Sequence, residues 1–246
     1  MEKLSKWYKD YVLLLRSVPS LVMALFTVSV VLMNLLANKE ISLNISWLAL
    51  DCGITMSWLS FLCMDMLTKR FGAKASIQLS LTAMIINLFV CGVLFLISNI
   101  PGNWGAFYTY NDGIANGALN STIGGTWYVV LGSACAFAAS AILNALLNAM
   151  IGKACKKDNF ASYALRSYLS TIVAQFADNF IFAFMVSHVF FGWNMLQVVT
   201  CSLTGCIVEL LCEVIFSPVG YRVCKKWDAE NVGAAYYKLN NQRRVT

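Results

Sequence analysis

Arg166–Ser187 reads RSYLSTIVAQFADNFIFAFMVS, a stretch long and apolar enough to cross a bilayer, yet carrying Gln175 and Asp178 near its middle. A transmembrane helix needs about 20 mostly apolar residues, so this stretch is predicted to be one. Thr171, Gln175, Asp178 and Phe182 follow i, i+4, i+7, i+11 and share one stripe of that helix. A carboxylate at mid-depth is costly, and residues that bear one usually face a cavity or a partner. Asp178 is either held by hydrogen bonds between helices or binds a ligand. The second reading is adopted, as the default for an ionisable group inside a membrane.

Outward from this span, five further apolar blocks follow the same pattern. The six lie at roughly 17–38, 48–68, 75–98, 127–151, 163–187 and 195–218. They lack the period-two alternation of barrel strands, so the fold class is an all-α integral membrane protein, a six-transmembrane-helix bundle. With 59% hydrophobic and only 12% charged residues, the chain has too little polar surface for a water-soluble domain. A single membrane domain over 1–246 is expected: an interfacial amphipathic helix at 1–16, six spans over 17–218, and a polar, basic tail over 219–246. In the first segment Leu4, Trp7, Tyr8, Tyr11, Val12 and Leu15 recur at helical spacing, with Lys3, Lys6 and Lys9 on the other faces.

The net charge of +6 is a topology signal. Of eighteen Lys and Arg, all but Lys39 precede the first span, fall between the second and third or fourth and fifth, or follow the sixth. The positive-inside rule makes that side cytoplasmic, with both termini on it. The same distribution argues against a nucleic-acid partner. Nine cysteines without CxxC spacing and a single histidine, His188, offer no metal or redox centre. HExxH, P-loop and dinucleotide-binding glycine patterns are missing, which disfavours an ATPase, a zinc protease or any other enzyme, and no cofactor is expected.

Polar residues inside the apolar blocks are the candidate site. Asn34 and Asn38 are expected on one face at the end of the first span, Gln175 and Asp178 on the fifth, and Glu209 near the middle of the sixth, about 13 Å from Pro218, taken as its inner end. Asn144 and Asn148 lie one turn apart beside the small-residue stripe Ala134, Ala138, Ala141, Ala145 and Ala149. They either hold a ligand or join two helices. Asp51 opens the second span and Asp65 closes it, Arg166 reaches the inner boundary or pairs with an acid, and Glu213 lies nearer the inner surface. These four are read as structural or coupling residues. Carboxylates and amides suit a planar, N–H-rich, neutral or weakly cationic solute, with Trp47, Trp58, Phe176 and Phe182 available to stack on it. The stretch 39–50 is expected to be irregular or re-entrant. The long connection 99–126, rich in Gly and Asn with Trp104, Phe107, Tyr108 and Tyr110, is either a lid or a flexible outer loop.

Three patches carry a family resemblance: NLLANK at Asn34–Lys39, DCG at Asp51–Gly53 with MDMLTKRFG at Met64–Gly72, and RSYLSTIVAQFADNFIF at Arg166–Phe182. With them the chain resembles the vitamin uptake transporter (VUT) family, also called the queuosine-precursor transporters. It departs in having Lys69 after Thr68, where members commonly carry an acid. The resemblance implies import of a 7-deazaguanine-type base or queuine across the bacterial cytoplasmic (inner) membrane. It also implies a bundle similar to the substrate-binding components of energy-coupling-factor importers. A different vitamin-like heterocycle, or a substrate-binding component served by an energising partner, is the alternative. The partners expected are a 7-deazapurine and membrane lipid, with a homo-oligomer left open.

Overall fold

The computed structural model describes residues 2–41, 45–48, 50–105, 113–124, 127–154, 159–190 and 192–242. The chain opens with α1 (Glu2–Ser17) and α2 (Ser20–Leu36), whose axes meet at 101° across a break at Val18–Pro19. A residue before proline is pushed out of the helical region, so the elbow is written into the sequence. A two-residue antiparallel ladder follows, β1 (Glu40–Ile41) on β2 (Leu50–Asp51), with Glu40 opposite Asp51. Then come α3 (Ile54–Phe71), α4 (Ala73–Ser98), α5 (Gly113–Ile123), α6 (Trp127–Ala154) and α7 (Phe160–Phe182). A π-helical segment (Ala183–His188) extends α7, followed by α8 (Met195–Ala229) and α9 (Ala234–Gln242).

Polarity is distributed inside out. Leu21, Ile85, Phe89, Leu96, Leu169, Leu211 and Ile215 are exposed, while Asp65, Asn144, Asn148, Gln175, Glu209 and Glu213 are buried. Such an exterior belongs in hydrocarbon, where backbone groups must be satisfied within each helix. Four stretches are long and apolar enough to cross a membrane: 73–98, 113–154, 160–188 and 195–229. The bent pair 7–17 and 20–36 makes a fifth if it counts as one span. Each of the six apolar blocks coincides with a helix, but α3 falls short of that standard. It spends its length on Ser57, Ser60, Asp65 and Thr68, all buried, and ends on Lys69 and Arg70. It packs against α2, α4, α6 and α8, so its polar residues face protein.

Two stretches differ from the sequence expectation. Part of 99–126 is helical: α5 is anchored by Trp104, whose backbone N–H donates to Asn116 Oδ1 (2.6 Å) and whose indole donates to Asn120 Oδ1 (2.8 Å). The Gly- and Asn-rich composition hid a helix that tertiary hydrogen bonds stabilise. Phe107, Tyr108 and Tyr110 lie outside the described residues, so neither the lid nor the flexible-loop reading extends to them. At the other end, α8 continues past Pro218. Proline removes one N–H from the ladder, and Ser217 Oγ donates to the Val214 carbonyl (3.1 Å) that this leaves free.

The described part of the polar, basic segment after the sixth apolar block forms a clasp rather than a loose tail. Arg70 donates to Asp228 Oδ1 (2.5 Å) through Nη1 and to the Val232 carbonyl through Nε (2.9 Å) and Nη2 (2.6 Å). Its guanidinium also lies over the Tyr237 ring. Gly233 turns the chain at φ +81°, and a Cβ there would come within 2.6 Å of the Phe71 ring. α9 then packs back against α1.

Candidate functional site: a carboxyl-lined cavity

The buried polar groups fall into two sets. The first surrounds a cavity of about 30 Å³ where the C-terminal ends of α2 and α7 meet the start of α3. Asn34 comes from α2, Asp51 and Gly53 from the turn before α3, Ser57 from α3, Asp178, Asn179 and Phe182 from α7, and Glu209 from α8. Thus the carboxyls of Asp51, Asp178 and Glu209 face one space, and no Lys or Arg is among its described lining residues.

Local geometry holds each acid. Asp51 Oδ1 accepts from Gly53 N–H (2.7 Å). Gly53 has to be glycine, because a Cβ would lie 2.7 Å from both that oxygen and the Met33 carbonyl. Asp178 Oδ1 accepts from Ser140 Oγ (2.7 Å). Glu209 accepts from Ser57 Oγ and from Asn179 Nδ2 (3.1 Å). Asn179 fits only because Gly205 faces it, where a Cβ would approach the amide nitrogen to 2.8 Å. Asn34 is buried with Nδ2 unpartnered among the described residues, so an N–H donor is also available at this cavity. The β1–β2 segment reaches over to α8, with Thr200 Oγ1 donating to the Trp47 carbonyl (2.7 Å). The π-helical segment begins directly after Phe182, and such widened turns recur at functional sites.

The second set lies deeper, toward α1 and α9. Asp65 accepts from Asn144 and Asn148 (2.8 Å each), from Ser167, and from Thr171 (3.2 Å). Glu213 shares the Ser167 hydroxyl. Asn144 is therefore tied to Asp65 and does not line the cavity. Gln175, on α7 between the two sets, is buried with both amide atoms unpartnered among the described residues. Arg166 has Nε and Nη2 buried without partners among the described residues and lies over the Tyr163 ring, within electrostatic reach of Asp65.

Asn38 is not at the cavity. α2 ends at Leu36, and the Asn38 amide turns back to the Leu35 carbonyl (3.1 Å). Of the four aromatics, only Phe182 lines the space. Trp58 stacks on Phe216, Phe176 on Phe180, and Trp47 is exposed. The sequence reading missed Ser57, Ser140, Ser167 and Asn179. Asn179 directly follows Asp178, whereas lone serines in apolar helices gave no signal. A larger hollow of about 340 Å³, lined by Leu88, Phe95, Trp127 and Leu131, has no charged side chain and none of the predicted site residues among its described lining.

An apolar shell around buried carboxyls and amides defines a multi-pass helical membrane protein with a polar interior. The chain belongs to the family described as "Putative vitamin uptake transporter", which matches residues 51–223, from β2 through most of α8. That family is a class of transporter and not of enzyme. The match leaves out α1, α2 and α9, and with α2 the Asn34 side of the cavity. Comparison with curated proteins and with solved structures returns no significant match.

Proposed function

We propose that this protein imports a queuosine precursor, a 7-deazaguanine-type base or queuine, across the bacterial cytoplasmic (inner) membrane, driven by an ion gradient. The six apolar blocks are then six spans, with both termini and the basic clasp on the cytoplasmic side. α1, at 101° to α2 with Trp7 and Tyr8 exposed, lies in the inner headgroup layer.

The observation that carries the reading is the set of three carboxyls around one cavity, with no cation among its described lining. A guanine-type edge offers amino and ring N–H donors beside a carbonyl acceptor. Asp178 and Glu209 supply acceptors for the former, the free Nδ2 of Asn34 a donor for the latter, and Phe182 a ring to stack. A cavity of about 30 Å³ has room for water only, and ligand sites run to about 300 Å³ or more. Substrate entry therefore requires the space to widen, and the β1–β2 segment and the π-helical turn are the elements at its edge.

The test is a thermal-shift screen of the purified protein against 7-deazaguanine, guanine, queuine and common vitamins. A ligand that prefers the folded state raises the unfolding temperature in a concentration-dependent way. Stabilisation by 7-deazaguanine and queuine supports the assignment. A shift produced only by an unrelated vitamin transfers it to that heterocycle.

A further inference from the structure

Hydrogen-bond donors around the deeper acid pair are shared unequally. Asp65 takes four: Asn144 Nδ2 and Asn148 Nδ2 on Oδ1, and the hydroxyls of Ser167 and Thr171 on Oδ2. That is about the full complement of an ionised carboxylate. Glu213, equally buried, has Ser167 beside Oε1 and the Asp65 carboxyl and Thr171 close by, but no hydrogen-bond partner at Oε2 among the described residues. A hydroxyl owns one hydrogen, and in this arrangement Asp65 draws on that of Ser167. Turning that hydrogen, or the one on nearby Thr171, toward Glu213 would still leave Oε2 bare. An ionised Glu213 would then be a buried charge without the donors that make such a charge tolerable. A protonated one fits: Oε1–H donates to Ser167 Oγ, Ser167 donates to Asp65, and Oε2 is the carbonyl oxygen of a neutral acid.

The surroundings agree. α3 contributes Asp65, α7 contributes Arg166 and Tyr163, α6 contributes the neutral Asn144 and Asn148, and Glu209 lies one turn along α8 itself. Arg166 acts on Asp65 and Lys69 lies over the Tyr163 ring, yet neither cation is a hydrogen-bond partner of Glu213 Oε2 among the described residues. Ser167, Thr171, Gln175 and Asp178 form a polar stripe about 16 Å long on α7, joining the pair to the cavity. Gln175, with neither amide atom satisfied among the described residues, stands in its path.

We propose that Glu213 is the proton carrier of this transporter and Asp65 its fixed counter-charge. The inference rests on the importer reading. A proton arriving through the cavity bonds to the Glu213 carboxylate and is later released to the cytoplasmic side, so that only an O–H bond forms and breaks.

The experiment combines infrared spectroscopy with flux on the full chain in lipid vesicles. In spectra, a carbonyl component of a protonated carboxylic acid should be present in wild type, shift with carbon-13 labelling of glutamate, survive E209Q, and be lost in E213Q. In flux, an acid-outside gradient should speed wild-type uptake of radiolabelled 7-deazaguanine several-fold. E213Q should bind the base with unchanged affinity and exchange it across the membrane, yet ignore the gradient. Persistence of the band in E213Q, a gradient response kept in E213Q, or stimulation by sodium instead of protons overturns the proposal. If E213Q does not fold, the labelled wild-type and E209Q spectra decide: no glutamate acid band means that Glu213 carries no proton. If wild type neither binds nor moves the base, the importer reading fails separately, while the spectra still report on Glu213.

Discussion

Replacing Glu209 by Gln removes a carboxyl from the cavity without removing a hydrogen-bonding group from its wall. Glu209 lies between Ser57 Oγ and Asn179 Nδ2. A glutamine can keep its oxygen toward the Asn179 amide and turn its NH₂ to the Ser57 oxygen, so both neighbours stay satisfied and the fold should hold. A ligand N–H that lay against the carboxylate would lose a charge-assisted hydrogen bond, worth about 1.5–3 kcal/mol. That corresponds to roughly a 10- to 150-fold rise in Kd for 7-deazaguanine. D178N should behave alike, since Ser140 Oγ can still donate to an asparagine oxygen at the position of Oδ1. Equilibrium binding to purified protein measures the loss, and an unchanged unfolding temperature in the absence of ligand separates it from misfolding. If both variants bind within about twofold of wild type, where the estimate demands about tenfold or more, the carboxyl-lined cavity is not the binding site.

The remaining predictions concern the frame and its orientation. Gly233→Ala forces a Cβ into a left-handed backbone and within 2.6 Å of Phe71. It should cost about 1–2 kcal/mol from the backbone alone, read as a lower unfolding temperature in detergent; an unchanged temperature would argue against this turn. Ser217→Ala strips the Val214 carbonyl of the hydroxyl that replaces the proline's missing N–H, and should cost about 1 kcal/mol in the same assay. On intact cells an impermeant amine reagent should label a protein whose only accessible lysine is Lys39 and spare one that offers only Lys69. The reverse pattern would invert the orientation.

The helical blocks were legible because bilayer thickness imposes a length on every apolar run. The inward stripe of α7 was legible because polar residues at helical spacing have one face to share. What sequence periodicity could not supply is which helix stands opposite. Asn144 and Asn148 were placed on one face by their spacing, but meeting Asp65 rather than Asp178 depends on how α3 packs against α6. Asn38 looked like a partner of Asn34 because i and i+4 coincide on a helix. The helix ends between them, so the rule stops applying at Leu36. Trp58 seemed free to stack on a solute until Phe216, far along the chain, occupied its face. Pro218 was read as a terminus because its own N–H deficit is visible in sequence, while repair by the preceding serine is a matter of geometry.

α8 runs unbroken through both polar sets and ends in the grip of Arg70. Over the twenty residues from Glu209 to Ala229 it is a rod of about 30 Å, so each degree of tilt at the cavity swings its far end by about half an ångström. The guanidinium at the foot of this helix is therefore, with the packing of α8 on α3 and α7, one of the contacts that fix the angle at which its other end meets Ser57 and Asn179. Loosening Arg70 would detune a contact nearly the full thickness of the bilayer away.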